Sequence, residues 1–442
     1  MASPDDQQPR ESGLIRAIGV PALTANLVNT TIGAGIFVLP ALVAKGLGAA
    51  APLAFIVCAL AMVLFVTCFA IAGSRVSLTG GLYAYVEVAF GRYVGFLAGL
   101  LLLTTAILSV AGIVNVLAGN IIALAPAFSG PIGRVMILFV VFAGLAAINV
   151  RGVRVGAGAV AAITIAKLVP LLVFVIAGIF FIKPDALAWG GLPDGNALGH
   201  AVLLLIFAFF GIEVGLVPSG EVKRPARTVP RAIYLALALT TALYILIQIV
   251  AQGTLGATLA ENSVSPLAQS AALFLGDFGR ILLLAGATIS AFGFVTSDIL
   301  SMPRMVFAFG RDGIVPRWFA HVHPRFHSPH VAIISYATIA FAVSCSSTFD
   351  ALAIIANVAA LLLYLLCCAA AWELMRRDVR SDGEPFQIPG ARVIPILAIS
   401  AIIWILAHAT AKEFAVTAYV LAVGSVLYFI RVLTNRDRRG VH

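Results

Sequence analysis

The sequence predicts an all-α polytopic membrane protein, on the basis of its composition, the lengths of its apolar runs and the distribution of its positive charge. Of the 442 residues, 61% are hydrophobic and 11% are charged, and the mean hydropathy is +1.07. Such a chain has too little polar surface to cover a soluble globule. The net charge of +9 does not indicate nucleic acid as a partner, because no basic face with interleaved aromatic residues accompanies it.

Runs of about 20 apolar residues are long enough to cross the lipid bilayer as helices. They predict twelve transmembrane segments, numbered here 1 to 12 in chain order, with approximate bounds 17–44, 48–73, 93–124, 132–149, 159–182, 198–217, 230–253, 279–309, 331–349, 351–376, 393–410 and 413–434.

Lysine and arginine residues test this count, because the loops of a membrane protein that carry them stay on the cytoplasmic side. Loops on one side of the twelve segments hold 22 of the 28 Lys and Arg residues, and loops on the other side hold five. The sequence therefore predicts a multi-pass protein of the cytoplasmic (inner) membrane. Both termini, residues 1–16 and residues 435–442, are predicted to be cytoplasmic.

Segments 1 and 6 are each interrupted where a spanning helix should be continuous. Gly33 and Gly35 lie within residues 29–40, and Gly211 begins a run with two more glycines and a proline within residues 207–220. Glycine in a helix interior is unfavourable for backbone entropy, so these breaks need a reason. Close packing of helices at small residues is one explanation. The other is an unwound backbone that is offered to a ligand at the middle of the membrane.

The positions of the two breaks favour the second explanation. They lie five segments apart, in helices that run in opposite directions, as an inverted repeat of five plus five segments requires. The first repeat is then residues 17–182 and the second is residues 198–376, with segments 11 and 12, residues 393–434, outside the repeat. The binding site is expected where the two breaks meet.

The ends of a broken helix carry unpaired backbone groups and a partial charge. Carbonyls around Gly33 and Gly211 are expected to face the ammonium group of the substrate. N–H groups at Gly35 and Ile36 are expected to face its carboxylate. A zwitterion that is held at both ends is therefore the expected ligand. The candidate substrate-binding residues of the two breaks are Thr31, Ile32, Gly33, Ala34, Gly35, Ile36, Phe207, Ala208, Phe209, Phe210 and Gly211.

The break in segment 1 resembles the Gly-Ser-Gly-Ile-Phe motif of the amino acid/polyamine/organocation (APC) transporters, with Ala34 in place of serine. Residues 79–91, 220–233 and 304–316 also resemble motifs of this superfamily, in the same order along the chain. The resemblance implies a LeuT-like fold, with a five-plus-five inverted repeat and broken helices 1 and 6. It also implies secondary transport of amino acids or amines, as in the basic amino acid/polyamine antiporter and proton-coupled amino acid transporter branches.

Among the ionisable side chains inside predicted segments, three are candidate functional residues, because a charge at a helix centre is costly and marks a functional site by default. Lys167 resembles the lysine that sodium-independent members of the superfamily carry where relatives bind sodium. It is a candidate coupling residue, with carbonyls near Gly33 and the hydroxyls of Thr296 and Ser297 on segment 8 as expected partners, or else a permanently charged structural residue. Glu213, after the second break, can sense pH, line the path or accept backbone N–H groups. Asp298 is a candidate partner of Lys167.

Specificity is expected to depend on segments 3, 6, 8 and 10. Without gaps, Val110 aligns with the asparagine that arginine exchangers of the superfamily use for the guanidinium, and Phe207 aligns with an aromatic gate. The nearby polar groups of segment 3 are hydroxyls, among them Ser109, and they offer little to a second cation. Neutral amino acids are therefore the predicted substrates. An antiporter of cationic amino acids or polyamines is the alternative, which Glu213 favours.

The expected mechanism is sodium-independent proton symport or exchange by alternating access. An enzyme is not expected, because the segments hold no carboxylate or His/Asp constellation at depth. No cofactor or metal is expected either. The histidines after segment 8 have no cysteine and few carboxylates near them, which favours a solvated loop. The sequence leaves open whether the protein acts alone or as a homodimer.

Overall fold

The computed structural model of the protein covers most of the chain. It describes residues 18–76, 78, 81–152, 157–189, 191–216, 222–261, 265–311, 315–380 and 384–439, without the side chains of 157–162 and 432–439. The predicted cytoplasmic segment 1–16, the last three residues of the predicted tail, and parts of the motif stretches at 79–80, 220–221 and 312–314 lie outside the described residues.

The regular secondary structure of the described residues is helical, apart from one isolated bridge between Ile18 and Val222. This confirms the all-α prediction for that part. The helices are α1 (Val20–Thr31), α2 (Leu39–Leu47), α3 (Ala51–Arg75), α4 (Leu82–Phe90), α5 (Arg92–Leu124), α6 (Pro131–Val150), α7 (Ala157–Gly178), α8 (Gly195–Leu205), α9 (Pro225–Leu255), α10 (Pro266–Arg311), α11 (His330–Ser346), α12 (Phe349–Arg376), α13 (Ile394–Leu406) and α14 (Ala411–Arg439).

Within the described residues, nine helical stretches are long and apolar enough to cross a membrane. Two further apolar helices, α11 and α13, are shorter. A multi-pass membrane protein is consistent with these helices. Each of the twelve predicted segments contains a helix, but α1 and α2 each cover only part of segment 1. The count of twelve spans and the inverted repeat therefore stay predictions.

Two helical stretches lie in regions that the sequence predicts to be loops between spanning segments. One is α4, which lies between Gly81 (φ 58°) and Gly91 (φ 85°). The other is the first part of α10, which ends at a kink at Gly276 (φ 61°). Both stretches are too short to cross a bilayer, so a search for runs of about 20 apolar residues cannot find them.

The helices that surround the two breaks pack closely. The α5 helix packs against α10 and α12, and α9 packs against α1 and α3. The α7 and α10 helices are antiparallel neighbours. A methyl group added to Gly286 would lie 2.7 Å from Pro170 Cγ, and one added to Gly293 would lie 2.7 Å from Ile163 Cγ2. These two contacts fix the register of α7 against α10.

Candidate functional site

The break in segment 1 leaves a helix N-terminus without a capping side chain. The α1 helix ends at Thr31, Ile32 leaves the helical region (φ −75°, ψ 88°), and Gly33 is extended. A short 3₁₀ turn, Ala34–Phe37, follows, and no side chain hydrogen-bonds to its N-terminal end. The first N–H groups of such a turn have no partner within the turn itself, so they can bind a ligand.

The break in segment 6 is built around one glycine. The α8 helix ends at Leu205, a 3₁₀ turn covers Ile206–Phe209, and the chain then turns at Gly211, whose φ is +100°. Residues other than glycine rarely adopt this conformation. The Asn357 side chain of α12 donates to the carbonyls of Leu203 (2.6 Å) and Leu204 (3.2 Å) and so satisfies carbonyls in the last turn of α8.

The two breaks contact each other directly. A methyl group added to Gly211 would lie 2.1 Å from the carbonyl oxygen of Thr30, so only glycine permits this approach. Tyr244 of α9 links the same region, because its hydroxyl lies 3.1 Å from Thr31 O and 2.9 Å from Ala208 O. Sequence reasoning missed Tyr244. The available signal was a tyrosine hydroxyl in an apolar helix, which needs a polar partner when it is buried.

A small cavity of about 20 Å³ lies where the breaks meet. That volume holds about one water molecule, so an amino acid requires the site to open. Predicted residues that line the cavity are Thr31, Gly33, Ala34, Gly35, Ile36, Phe207, Ala208 and Phe210. The remaining lining residues are Thr30, Ser109, Ile113 and Phe294, so the lining contains no charged side chain.

The other predicted substrate residues lie outside the cavity lining. The Phe209 ring packs edge-on against the Tyr244 ring with centroids 5.5 Å apart. Ile32 is buried at the break, and Val110 is buried in α5. Ser109 and Ile113, four residues apart on one face of α5, line the cavity in place of Val110. The ungapped alignment thus chose a residue one helical position away from the cavity.

Lys167 of α7 is buried and lies against the end of α1. Its side chain is 7% exposed, and its ammonium donates to the carbonyl of Asn29 at 2.5 Å. The Thr164 hydroxyl, one turn earlier, donates to the Asn29 side chain at 2.8 Å. A cation therefore holds a carbonyl in the last turn of α1, four residues before the expected position near Gly33.

The expected partners of Lys167 on segment 8 lie too far along the helix. In the α7–α10 register, residue 286 is level with residue 170 and residue 293 with residue 163. Thr296 is then level with residue 160, about 10 Å along the axis from Lys167. The Thr296 hydroxyl donates to Phe292 O of its own helix at 2.8 Å, and Ser297 is exposed. Neither residue pairs with Lys167, which corrects that expectation.

The same register places Ser290 level with residue 166, which immediately precedes Lys167 in α7. Ser290 shares one face of α10 with the two glycines that touch α7, because these positions are four and three residues apart. Its side chain is 2% exposed, and its hydroxyl has no hydrogen-bond partner. Ser290 is therefore an α10 hydroxyl near the level of Lys167 and without a partner, whereas the hydroxyl of Thr288, equally near that level, donates to Leu284 O at 2.7 Å.

Asp298 is also buried away from Lys167. Its carboxylate accepts a hydrogen bond from the hydroxyl of Tyr336 on α11. Among the described residues, Asp298 and Lys167 form no ion pair, so the expected pairing is wrong. In the register of α7 and α10, Asp298 is level with residue 158, about 13 Å along the axis from Lys167.

Glu213 has both carboxylate oxygens occupied by the chain. One oxygen accepts the N–H of Gly211 at 3.3 Å, and the other accepts the hydroxyl of Tyr364 on α12 at 2.8 Å. Glu213 is buried and does not line the cavity. Of the roles that the sequence left open, acceptance of backbone N–H groups is the one with a contact.

Comparison with known proteins agrees with this architecture. The family model described as "Amino acid permease" matches residues 18–432. The serine/threonine exchanger SteT of Bacillus subtilis is 28% identical over 411 residues, which cover 90% of this chain and 91% of the relative. The methylthioribose transporter of the same species is 27% identical, with 96% and 95% of the two chains covered. The branched-chain amino acid permease BcaP, also of Bacillus subtilis, is 27% identical, with 95% and 94% covered.

The family match covers nearly the whole chain and includes both breaks, Lys167 and the residues that line the cavity. The protein belongs to the amino acid permease family, within the APC superfamily.

Proposed function

We propose that the protein is a secondary transporter of neutral amino acids in the cytoplasmic membrane, sodium-independent and working by alternating access. The observation that carries this proposal is the cavity where the two breaks meet. It combines an uncapped helix N-terminus with walls that hold no charged side chain. An exchanger of serine and threonine and a permease of branched-chain amino acids among the relatives support neutral substrates.

The substrate carboxylate binds at the 3₁₀ turn Ala34–Phe37. Its N–H groups begin a helical turn that no side chain caps, and an anion is favoured at such an end. Gly33 leaves room there, because no atom beyond its two chain neighbours lies within 4 Å of the position that a methyl group would take. The carboxylate can therefore approach the backbone closely.

The substrate ammonium binds at the carbonyl end of α1. Lys167 already engages the carbonyl of Asn29, so the ammonium uses the carbonyls of Thr30 and Thr31, the second of which also accepts the N–H of Gly33 at 2.9 Å. Both residues line the cavity. The side chain of the substrate then faces α5, Phe207 and Phe294, where a charged group would find no partner.

Coupling to protons or to exchange depends on Lys167. Its ammonium lies against the last turn of α1, on a helix that packs against α10, and a metal cation in its place could link the three helices. The hydrogen bond to Asn29 connects its charge to the last turn of α1, next to the substrate carbonyls. If Lys167 gains and loses a proton during transport, the geometry of the break changes with its charge, as proton symport requires. If Lys167 stays charged throughout, exchange is the expected mode of transport.

Uptake of labelled alanine, serine and leucine into proteoliposomes tests the proposal. Accumulation driven by an inward proton gradient without sodium indicates symport, and uptake that requires internal amino acid indicates exchange. Methylthioribose serves as one competitor, because a relative that is 27% identical to this chain is named a methylthioribose transporter. Arginine and putrescine serve as the others, because they represent cationic amino acids and polyamines. The absence of saturable flux for every amino acid tested would contradict the proposal.

An antiporter of cationic amino acids or polyamines remains the alternative outcome of the same experiment. Glu213 was its main support, and both oxygens of that carboxylate are occupied by Gly211 and Tyr364. Efficient competition by arginine or putrescine would favour this alternative over neutral substrates.

A further inference from the structure

Two buried hydroxyls line the cavity without a hydrogen-bond partner. They belong to Thr31, at the end of α1, and to Ser109, on α5, and the two residues are 2% and 3% exposed. A buried hydroxyl without a partner costs free energy, because it has given up its bonds to water. Such groups in a native structure call for an explanation, and a ligand is one.

Many hydroxyls in the apolar helices bond within their own helix, whereas those of Thr24, Thr105, Thr241 and Ser290 are buried without a partner but do not line the cavity. Thr104, five residues before Ser109, donates to Leu100 O of its own helix at 2.8 Å, and Thr240 donates to Ala236 O at 2.8 Å. This bond to the carbonyl four residues earlier is the usual solution for serine and threonine in such helices. Among the buried hydroxyls without a partner in the described part of the chain, those of Thr31 and Ser109 line the cavity.

The two hydroxyls face different parts of a bound amino acid. Thr31 is the last residue of α1, beside the carbonyls assigned to the substrate ammonium. Ser109 lies on α5 and lines the cavity together with Ile113, one turn further along the same helix. Since the break of segment 1 holds the carboxylate and the ammonium, the α5 wall is left to the substrate side chain.

We propose that Ser109 selects amino acids with a hydroxyl on the side chain, serine and threonine, over alanine and valine. This inference rests on the proposed function and names its substrate class. A hydroxyl both donates and accepts, so the substrate hydroxyl and Ser109 Oγ can satisfy each other. An apolar side chain leaves Ser109 without a partner, and a site built to bond a hydroxyl rejects the analogue that lacks it.

Substrate pairs that differ only in the hydroxyl test the proposal on the unaltered protein. Threonine and valine have nearly the same shape, and serine and alanine differ by one oxygen atom. Competition against uptake of labelled serine into proteoliposomes should show threonine stronger than valine, and serine stronger than alanine, by about tenfold for one added hydrogen bond. Equal competition by threonine and valine overturns the proposal, even where amino acid transport itself is shown.

The Ser109→Ala variant then identifies the side chain responsible. The ratio of serine to alanine uptake efficiency should fall by about tenfold, to near the value set by size alone. Thr104→Ala, which removes a hydroxyl of α5 that is bonded within its own helix, should keep the original ratio. A Ser109→Ala ratio equal to that of the unaltered protein overturns the assignment to Ser109. If Ser109→Ala does not fold, Ser109→Thr retains the hydroxyl and should retain the preference, and its loss contradicts the proposal.

Discussion

The two breaks have similar glycine patterns in the sequence, but their backbone groups are satisfied differently. Around the break in segment 6, Asn357 binds carbonyls of α8 and Glu213 binds the N–H of Gly211. Gly211 itself packs against Thr30 O. At the break in segment 1, Lys167 and Tyr244 reach the carbonyl side, while the N-terminal end at Gly33 has no capping side chain.

This difference assigns different tasks to the two breaks. A break whose backbone groups bond side chains of the protein, as those of Leu203, Leu204 and Gly211 do, is held in place without a ligand. A break with an uncapped N-terminus gains hydrogen bonds when an anion binds. Segment 6 therefore supplies a wall of the site, and segment 1 supplies the groups that bind the substrate. The following variants test that division.

The largest effect is expected from Gly211→Ala. Its positive φ costs any other residue about 1–2 kcal/mol, and the added methyl group would collide with Thr30 O at 2.1 Å. The variant should give little folded protein, with a lower melting temperature in detergent. Gly33→Ala is the matched control, because φ there is −97° and no atom lies within 4 Å of the added methyl group. If both variants melt alike, the proposed contrast between the breaks is wrong.

Lys167→Ala should have the second largest effect. It removes the cation from Asn29 O and leaves a buried carbonyl unpaired, which should lower transport by about tenfold or more. The remaining uptake into proteoliposomes should no longer respond to a proton gradient. Lys183→Ala removes a charge from an exposed loop position and should change neither property. A Lys167→Ala protein that is still driven by the gradient would remove Lys167 from the coupling mechanism.

Tyr244→Phe should have a moderate effect on both breaks together. The variant loses the phenol that links Thr31 O and Ala208 O, at a cost of about 0.5–1.5 kcal/mol. Tyr234→Phe is the control on the same helix, since its hydroxyl pairs with Thr67 at 2.6 Å and lies outside the cavity lining. Both variants should lower the melting temperature, but only Tyr244→Phe should raise the KM for uptake. Equal KM values would limit Tyr244 to a structural role.

The smallest effect is expected from Glu213→Gln. The amide keeps an oxygen that can accept one of the two present hydrogen bonds, and the side chain does not line the cavity. Substrate preference and the pH profile of uptake should stay as in the unaltered protein, with a modest loss of stability. A shift in the pH profile, or a gain in arginine uptake, would give Glu213 a direct part in transport.

The sequence predicts the breaks well because their cause is local. Glycines inside an apolar run are visible without any knowledge of the fold, and both breaks are present where they were expected. Gly211 is the clearest case, since its positive φ needs glycine whatever surrounds it. The residues around Gly33 and Gly35 that line the cavity were identified in the same way.

The partners of the breaks were harder to predict because they come from distant helices. The choice between Ser290 and Thr296 depends on how far α7 and α10 slide past each other, which neither helix encodes by itself. The choice between Ser109 and Val110 depends on a rotation of about 100° around α5. Tyr244, Asn357, Tyr364 and Tyr336 are polar groups in apolar helices, and their partners could be named only after the helices were packed.

The Tyr244 hydroxyl cannot donate a hydrogen bond to both breaks at the same time. A phenol carries one hydrogen, but two carbonyl oxygens, one from each break, lie within bonding distance of it. Only one of them can receive that hydrogen at a time, and the other faces the phenol oxygen without it. A substrate ammonium, with three hydrogens to give, can bond Thr31 O, which also accepts the N–H of Gly33 at 2.9 Å, and the phenol hydrogen then goes to Ala208 O. A substrate bound at the break in segment 1 therefore leaves the hydroxyl of Tyr244 to the break in segment 6.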